Sequence, residues 1–292
     1  MILPNNSHVE RCNARPGRIA ASLTSVISFL RGLRLFVSAR PKTPLRVLCV
    51  MAFDTLHVFR KSERLPVHKL RILATLLDFG ACANASFDNK GFCRKEYRTT
   101  RRLLENAGIS SSVDEYLRRL RELEKRRPSP GGDHWQYAKV RSYRESVVRL
   151  SLGVIASTAF GNQSVEDGIR ATHCDEDLKN LFRIVMQCQV INDVLDYSKD
   201  ASAGLPSFLT VPASLPQAFE LTRRAAIGYA DGGDLSLSGD VFRLRVALFG
   251  VSICTKLAIA LGRWRQKVQR LFIASDRSNL GSPPTPCRWK HD

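Results

Sequence analysis

Helical periodicity limits what this chain can fold into more than any other feature. From Leu45 onward apolar residues return at helical spacing, and no run alternates apolar with polar residues between hairpin turns. The fold class that follows is all-α, a single-domain helical bundle. Helices are predicted near 45–60, 66–88, 94–107, 112–126, 134–160, 175–200, 214–230 and 240–269. Pro66, Gly108, the Pro128–Asp133 loop, Gly161-Asn162, Gly204-Leu-Pro206 and Gly232-Gly233 separate them, since Gly and Pro punctuate helices. A chain of 292 residues buries enough surface to support such a bundle on its own.

Charge sets the class of partner. The formal net charge is +18, which favours anionic partners: nucleic acid, an anionic membrane surface or a phosphorylated small molecule. Residues 1–50 hold eight Lys/Arg and one acid, Glu10. A spanning helix needs about 20 apolar residues, and the apolar stretch Ile19–Val37 is broken by Arg31, Gly32 and Arg34. No short apolar run there ends in a secretory cleavage site. An amphipathic arm lying on a membrane fits, as do a structureless basic extension, an ordinary packing helix and, less well, a transit peptide. In the segment 112–127 acids interleave with the arginines, which argues against nucleic acid as the partner. The tail after Arg270 is polar and Pro-rich and reads as disordered. The domain reading is therefore a basic arm at 1–44, a helical domain at 45–270 and a disordered tail at 271–292. Eight scattered cysteines form no CxxC pair. Cys82, Cys188 and Cys254 fall in apolar helical stretches as small hydrophobes, which points to a reducing, cytoplasmic setting with a peripheral membrane contact through the arm.

The segment Leu181–Asp200 carries the chemistry. Most of it is apolar, yet Gln189, Asn192, Asp193, Asp196 and Asp200 fall on one helical stripe. Neighbours four apart lie about 6 Å from one another, and a row of acids at that spacing destabilises a helix unless a counter-ion compensates it. Magnesium takes hard oxygen ligands and typically combines one or two carboxylates with substrate phosphates. A plain solvent face is the competing reading. Residues 70–88 repeat the device more weakly, with Asn84 and Asp88 four apart after an apolar run and Lys90, Arg94, Lys95 and Arg98 just beyond. Cations in that place can grip phosphate oxygens. Arg94 is the first candidate clamp, followed by Arg141, Arg144 and Arg149 of the apolar helix 139–157. Phe87, Phe182, Tyr197 and Phe208 lie close to the motifs as candidate pocket walls, with plain core as the alternative.

These residues resemble a family. Gln189-x-x-Asn192-x-x-x-Asp196-x-x-x-Asp200 is similar to the second aspartate-rich motif of the squalene/phytoene synthases, and Gln189-Val-Ile-Asn192-Asp193-Val-Leu-Asp196 to that of the trans-polyprenyl diphosphate synthases. Asn84-x-x-x-Asp88 resembles the first motif of the squalene/phytoene group. The resemblance implies the class I isoprenoid synthase fold, a bundle with a central cavity. It also implies a Mg²⁺-dependent prenyl transferase that ionises and condenses prenyl diphosphates. By the same resemblance Asn84, Asp88, Asn192, Asp196 and Asp200 hold Mg²⁺, with Asp88 and Asp196 catalytic. Arg94, Lys90, Arg144, Arg149 and Gln189 then contact the substrate diphosphate. Asn84 and Asn192 stand where the polyprenyl synthases carry acids, and Leu205 where they often carry a phosphate-binding lysine, which argues against chain elongation in its usual form. Two alternatives stay open: a terpene cyclase acting on one prenyl diphosphate, with Arg263-Trp264 a loose analogue of the Arg-Tyr pair there, or a non-catalytic homologue binding anionic membrane or nucleic acid.

Overall fold

The computed structural model describes residues 44–88, 91–129, 134–161, 164–230 and 242–279. Among these, ten helices follow one another: α1 Pro44–Lys61, α2 Val67–Phe87, α3 Arg94–Asn106, α4 Ser110–Lys125, α5 His134–Phe160, α6 Val165–Cys174, α7 Glu176–Leu195, α8 Tyr197–Ser202, α9 Leu215–Ala230 and α10 Phe242–Asn279. No strand occurs among the described residues, so the chain is all-α. The basic arm through residue 43 and the tail from residue 280 lie outside the described residues.

The bundle is organised around α5 and α7. Helix α5 rests on α1, α2, α4, α6 and α7, while α7 rests on α1, α5, α6, α9 and α10. Their sequences explain the position: a helix that is apolar on most sides has to be surrounded. Leu150, Val154 and Ala159 of α5 and Leu181, Met186 and Val190 of α7 are buried. Each fully buried large side chain contributes about 1.5–3 kcal/mol. One polar tie inside this core joins three helices. The Gln187 amide is fully buried and donates to the Ala226 carbonyl at 2.7 Å and to Ser252 Oγ at 3.3 Å, linking α7 to α9 and α10. Helices α5 and α6 cross at bare backbone. A Cβ on Gly168 would stand 2.0 Å from the Gly153 carbonyl oxygen, so no larger residue fits there without parting the helices.

Three boundaries and one burial differ from the sequence reading. Helix α6 was not predicted: it is ten residues long and contains Gly168. Its start is nevertheless capped, since Ser164 Oγ accepts from the Asp167 backbone N–H at 3.1 Å, a cap spacing typical of helix starts. The single helix over 175–200 is two, because the chain bends at Asp196 (φ −92°, ψ 7°). Backbone bonds still run through the bend, from Asp196 N to Asn192 O and from Asp200 N to Asp196 O. Helix α10 passes the boundary set at 270 and ends at Asn279, because the first helix breakers, Gly281 and Pro283, come only later. Residues 271–279 are thus helical. Cys254, expected inside, is exposed, while Cys49 and Cys82 are buried.

Candidate functional site

The two oxygen-bearing ridges end at the same end of the bundle. Helix α2 delivers Asn84 and Asp88 at its C-terminus, where the Asp88 backbone N–H donates to the Asn84 carbonyl. Helix α7 delivers Gln189, Asn192 and Asp193, with Asp196 as its C-cap and Asp200 in the first turn of α8. The first half of α5 stands between them and contacts both sides through neighbouring residues.

On the α2 side, Arg127 donates from Nη1 to Asp88 Oδ1 at 2.6 Å and lies 3.4 Å from Glu124 Oε2. Glu124 in turn accepts from the Tyr143 hydroxyl at 2.5 Å. Burial and that carboxylate together hold the Tyr143 phenol well above its ordinary range. On the α7 side, Arg144, next to Tyr143 in sequence, donates from Nη2 to Asp193 Oδ1 at 3.3 Å and to the Pro206 carbonyl at 3.2 Å. Asp193 Oδ2 also accepts the Phe208 backbone N–H at 2.8 Å. Asp193 is 1% exposed. Burial raises its pKa, and Arg144 and the Phe208 N–H pull part of the way back. The 205–211 turn is thereby fastened to α7 and α5.

Arg127 and Arg144 share one more property. Each has a buried Nε–H with no hydrogen-bond acceptor. Buried donors are normally satisfied, and a guanidinium carries five N–H donors in a planar fork suited to carboxylate and phosphate oxygens. Beyond that buried atom both side chains stay partly exposed, Arg127 by 20% and Arg144 by 25%.

The sequence-derived residues divide as follows. Asn84 is exposed and borders a cleft of about 140 Å³ walled by Leu77, Tyr116, Ser151 and Ile155. Asn192 is exposed, while Gln189, Asp196 and Asp200 are half-buried. Asp196 lies 3.9 Å from Lys199 Nζ. Lys90 lies outside the described residues. Arg94 opens α3 and is exposed. Arg141 pairs with Glu145 at 2.9 Å and sits over the Tyr229 ring.

Two readings need correction. The stripe from 189 to 200 is not one continuous surface: Asn192 points outward and Asp193 inward, because consecutive helix positions diverge by about 100°. Arg149 does not reach the ridges. It donates to the Thr172 carbonyl at 3.1 Å and stacks 3.8 Å over the Phe182 ring, roughly 16 Å of helix before Asp193. Phe182 and Phe208 are core residues, at 5% and 0% exposure.

Among the described residues no three His, Cys, Asp or Glu side chains converge as a metal cage. Each ridge instead presents a pair of hard-oxygen donors, Asn84 with Asp88 and Asn192 with Asp196. That number suits Mg²⁺ completed by phosphate oxygens and water rather than by protein alone. The residues sequence reasoning missed are Arg127, Glu124 and Tyr143. Arg127 closes a solvated amphipathic segment, and its contact with Asp88 spans 39 residues, so no local spacing announces it. No family model, curated protein or solved structure matches the chain.

Proposed function

We propose that the chain is a Mg²⁺-dependent prenyl transferase of the isoprenoid synthase type, binding a prenyl diphosphate at the end of the bundle where α2 and α7 terminate. The observation that carries the reading is the pair of arginines, Arg127 and Arg144, each facing a ridge carboxylate and each with its side chain partly exposed. A diphosphate is an anion of the size and charge to meet those guanidinium groups.

In this reading Asn84 and Asp88 on one side, and Asn192, Asp196 and Asp200 on the other, would hold Mg²⁺. Bound with the substrate, the metal supplies positive charge to the diphosphate as its bond to the allylic carbon breaks. The chain's own part is electrostatic and positional. Arg127, paired here with Asp88, would meet the phosphate oxygens, and Asp88 would be one of the residues that hold the metal. Arg144 keeps Asp193 and the 205–211 turn in place, and the exposed part of its guanidinium would meet the same anion. Gln189 and Arg94 contact the diphosphate from α7 and α3. The family resemblance assigns the prenyl chain to a central cavity of the bundle.

The test is incubation of the purified protein with geranyl, farnesyl or geranylgeranyl diphosphate and Mg²⁺, followed by extraction of the organic products. A coupled or elongated product that EDTA abolishes, and that Asp88→Ala and Asp196→Ala each remove, is the expected result. A cyclic product from one diphosphate would point to the cyclase chemistry of the same ridges. Full turnover in either variant, or salt-sensitive nucleic-acid binding with no turnover, would overturn the proposal.

A further inference from the structure

The outer face of α10 is the least explained surface of the molecule. Of the ten large hydrophobic side chains exposed among the described residues, six lie on this helix: Val246, Phe249, Ile253, Leu257, Leu261 and Trp264. They recur at three- and four-residue spacing and so form one ridge, roughly 27 Å long. Phe249 is 67% and Trp264 61% exposed, and it is their place in one contiguous apolar patch that marks an interaction surface. The inner face is different: Leu248, Ser252, Thr255 and Ile259 are buried against the bundle. By length and composition α10 could cross a bilayer, but a helix with one side committed to a protein core and polar ties to α7 does not insert; it lies flat.

Charge identifies what covers the ridge. From Phe242 to Ser275 there is no Asp or Glu and there are seven Lys/Arg. Lys256 and Lys267 flank the ridge and have no ion-pair partner among the described residues. Beside the ridge α9 and α10 leave a groove of about 970 Å³ that Phe219, Ile227, Ile259 and Trp264 wall and the same two lysines edge. Its one acid, Glu220, is already met by Arg223 at 2.8 Å and by Arg224 and Arg263 at 3.1 Å. A second copy of the chain docked ridge to ridge would set two rows of cations against each other, and the basic segment 1–43 would meet the same repulsion. An anionic lipid surface complements both the apolar ridge and its cations.

We propose that α10 is a membrane-docking helix: its apolar ridge enters the acyl boundary of an anionic bilayer, Trp264 sits at the headgroup level, and Lys256 and Lys267 engage lipid phosphates. The inference stands independently of the diphosphate reading, because it uses none of the residues at the α2 and α7 ends.

The test is flotation of the full-length protein with phosphatidylcholine vesicles, with and without about 30 mol% phosphatidylglycerol. Wild type should float with the anionic vesicles, in a salt-sensitive manner, and hardly with the neutral ones. Phe249→Asp combined with Leu257→Asp should abolish flotation. Lys256→Glu with Lys267→Glu, which disturbs no packing, should weaken binding at least about tenfold. Leu103→Asp, an equally exposed apolar site on α3, should bind like wild type. Vesicles should blue-shift the fluorescence, and Trp264→Phe should remove that shift. Three results would overturn the proposal. One is flotation retained in both α10 variants. A second is flotation lost only on Arg31→Glu with Arg34→Glu in the basic arm. The third is a dimer dissociated by Phe249→Asp in a protein that ignores vesicles.

Discussion

Two aspartate–arginine pairs stand at the same end of this bundle and do different work. Asp193 and Arg144 sit where α7 meets α5, the carboxylate 1% exposed and bonded a second time by the Phe208 N–H. Asp88 and Arg127 sit at the end of α2, with the Asp88 side chain 32% exposed. Burial of the Asp193 carboxylate turns the first pair into architecture, since Asp193 cannot lose Arg144 without leaving a desolvated carboxylate behind. Partial exposure leaves the second free to exchange partners at modest cost. The same two residue types thus hold a turn in one place and remain available to a ligand in the other.

The largest effect should come from Asp193→Ala, which strands Arg144 and the buried Phe208 N–H together. It should cost about 3 kcal/mol in urea unfolding. A cost no greater than that of Asp88→Ala would break the contrast. Arg144→Met should follow, at about 1–3 kcal/mol, because Asp193 can take up a proton once its cation is gone. Arg127→Met should cost about 1 kcal/mol or less, while Asp88→Ala should leave the unfolding midpoint close to that of wild type.

The pH dependence sharpens the same contrast, with the smallest expected effect. Burial raises the Asp193 pKa in the folded state, so between the ordinary carboxylate value and that raised value the native protein binds the extra proton. Its contribution to stability is fully present below the ordinary value and declines as pH rises through the window. Asp193→Asn should remove that part of the slope and no other. An unchanged slope in the variant would show that Asp193 does not titrate across folding.

Much of this was legible in the chain. The helices α1 to α5, α9 and the start of α10 follow from apolar spacing and from Gly and Pro breaks, because local propensity and core burial agree there. Helix α6 escaped because its ten residues include Gly168, whose purpose, backbone contact with Gly153, exists only in three dimensions. The motif residues Asn84, Asp88, Asn192 and Asp196 were visible as oxygen donors on apolar helices. Their division into an inward Asp193 and an outward Asn192 was not, since it depends on which face α5 covers. Arg127 and Tyr143 were invisible for the same reason: they reach the ridges through contacts between separate helices. The ridge on α10 was hidden in the opposite sense. Apolar spacing places a helix there, and only the packing shows which of its faces is left over.

The central claim is that two separated ridges serve one anion. A double-mutant cycle on binding of inorganic pyrophosphate with Mg²⁺, followed by calorimetry in wild type, Asp88→Ala, Asp196→Ala and the double variant, tests it most directly. If both ridges grip the same ligand, each single variant loses most of the affinity and the double variant loses clearly less than the sum. Additive losses would place the two carboxylates at independent sites, and Mg²⁺-independent binding unchanged in all four proteins would contradict the account.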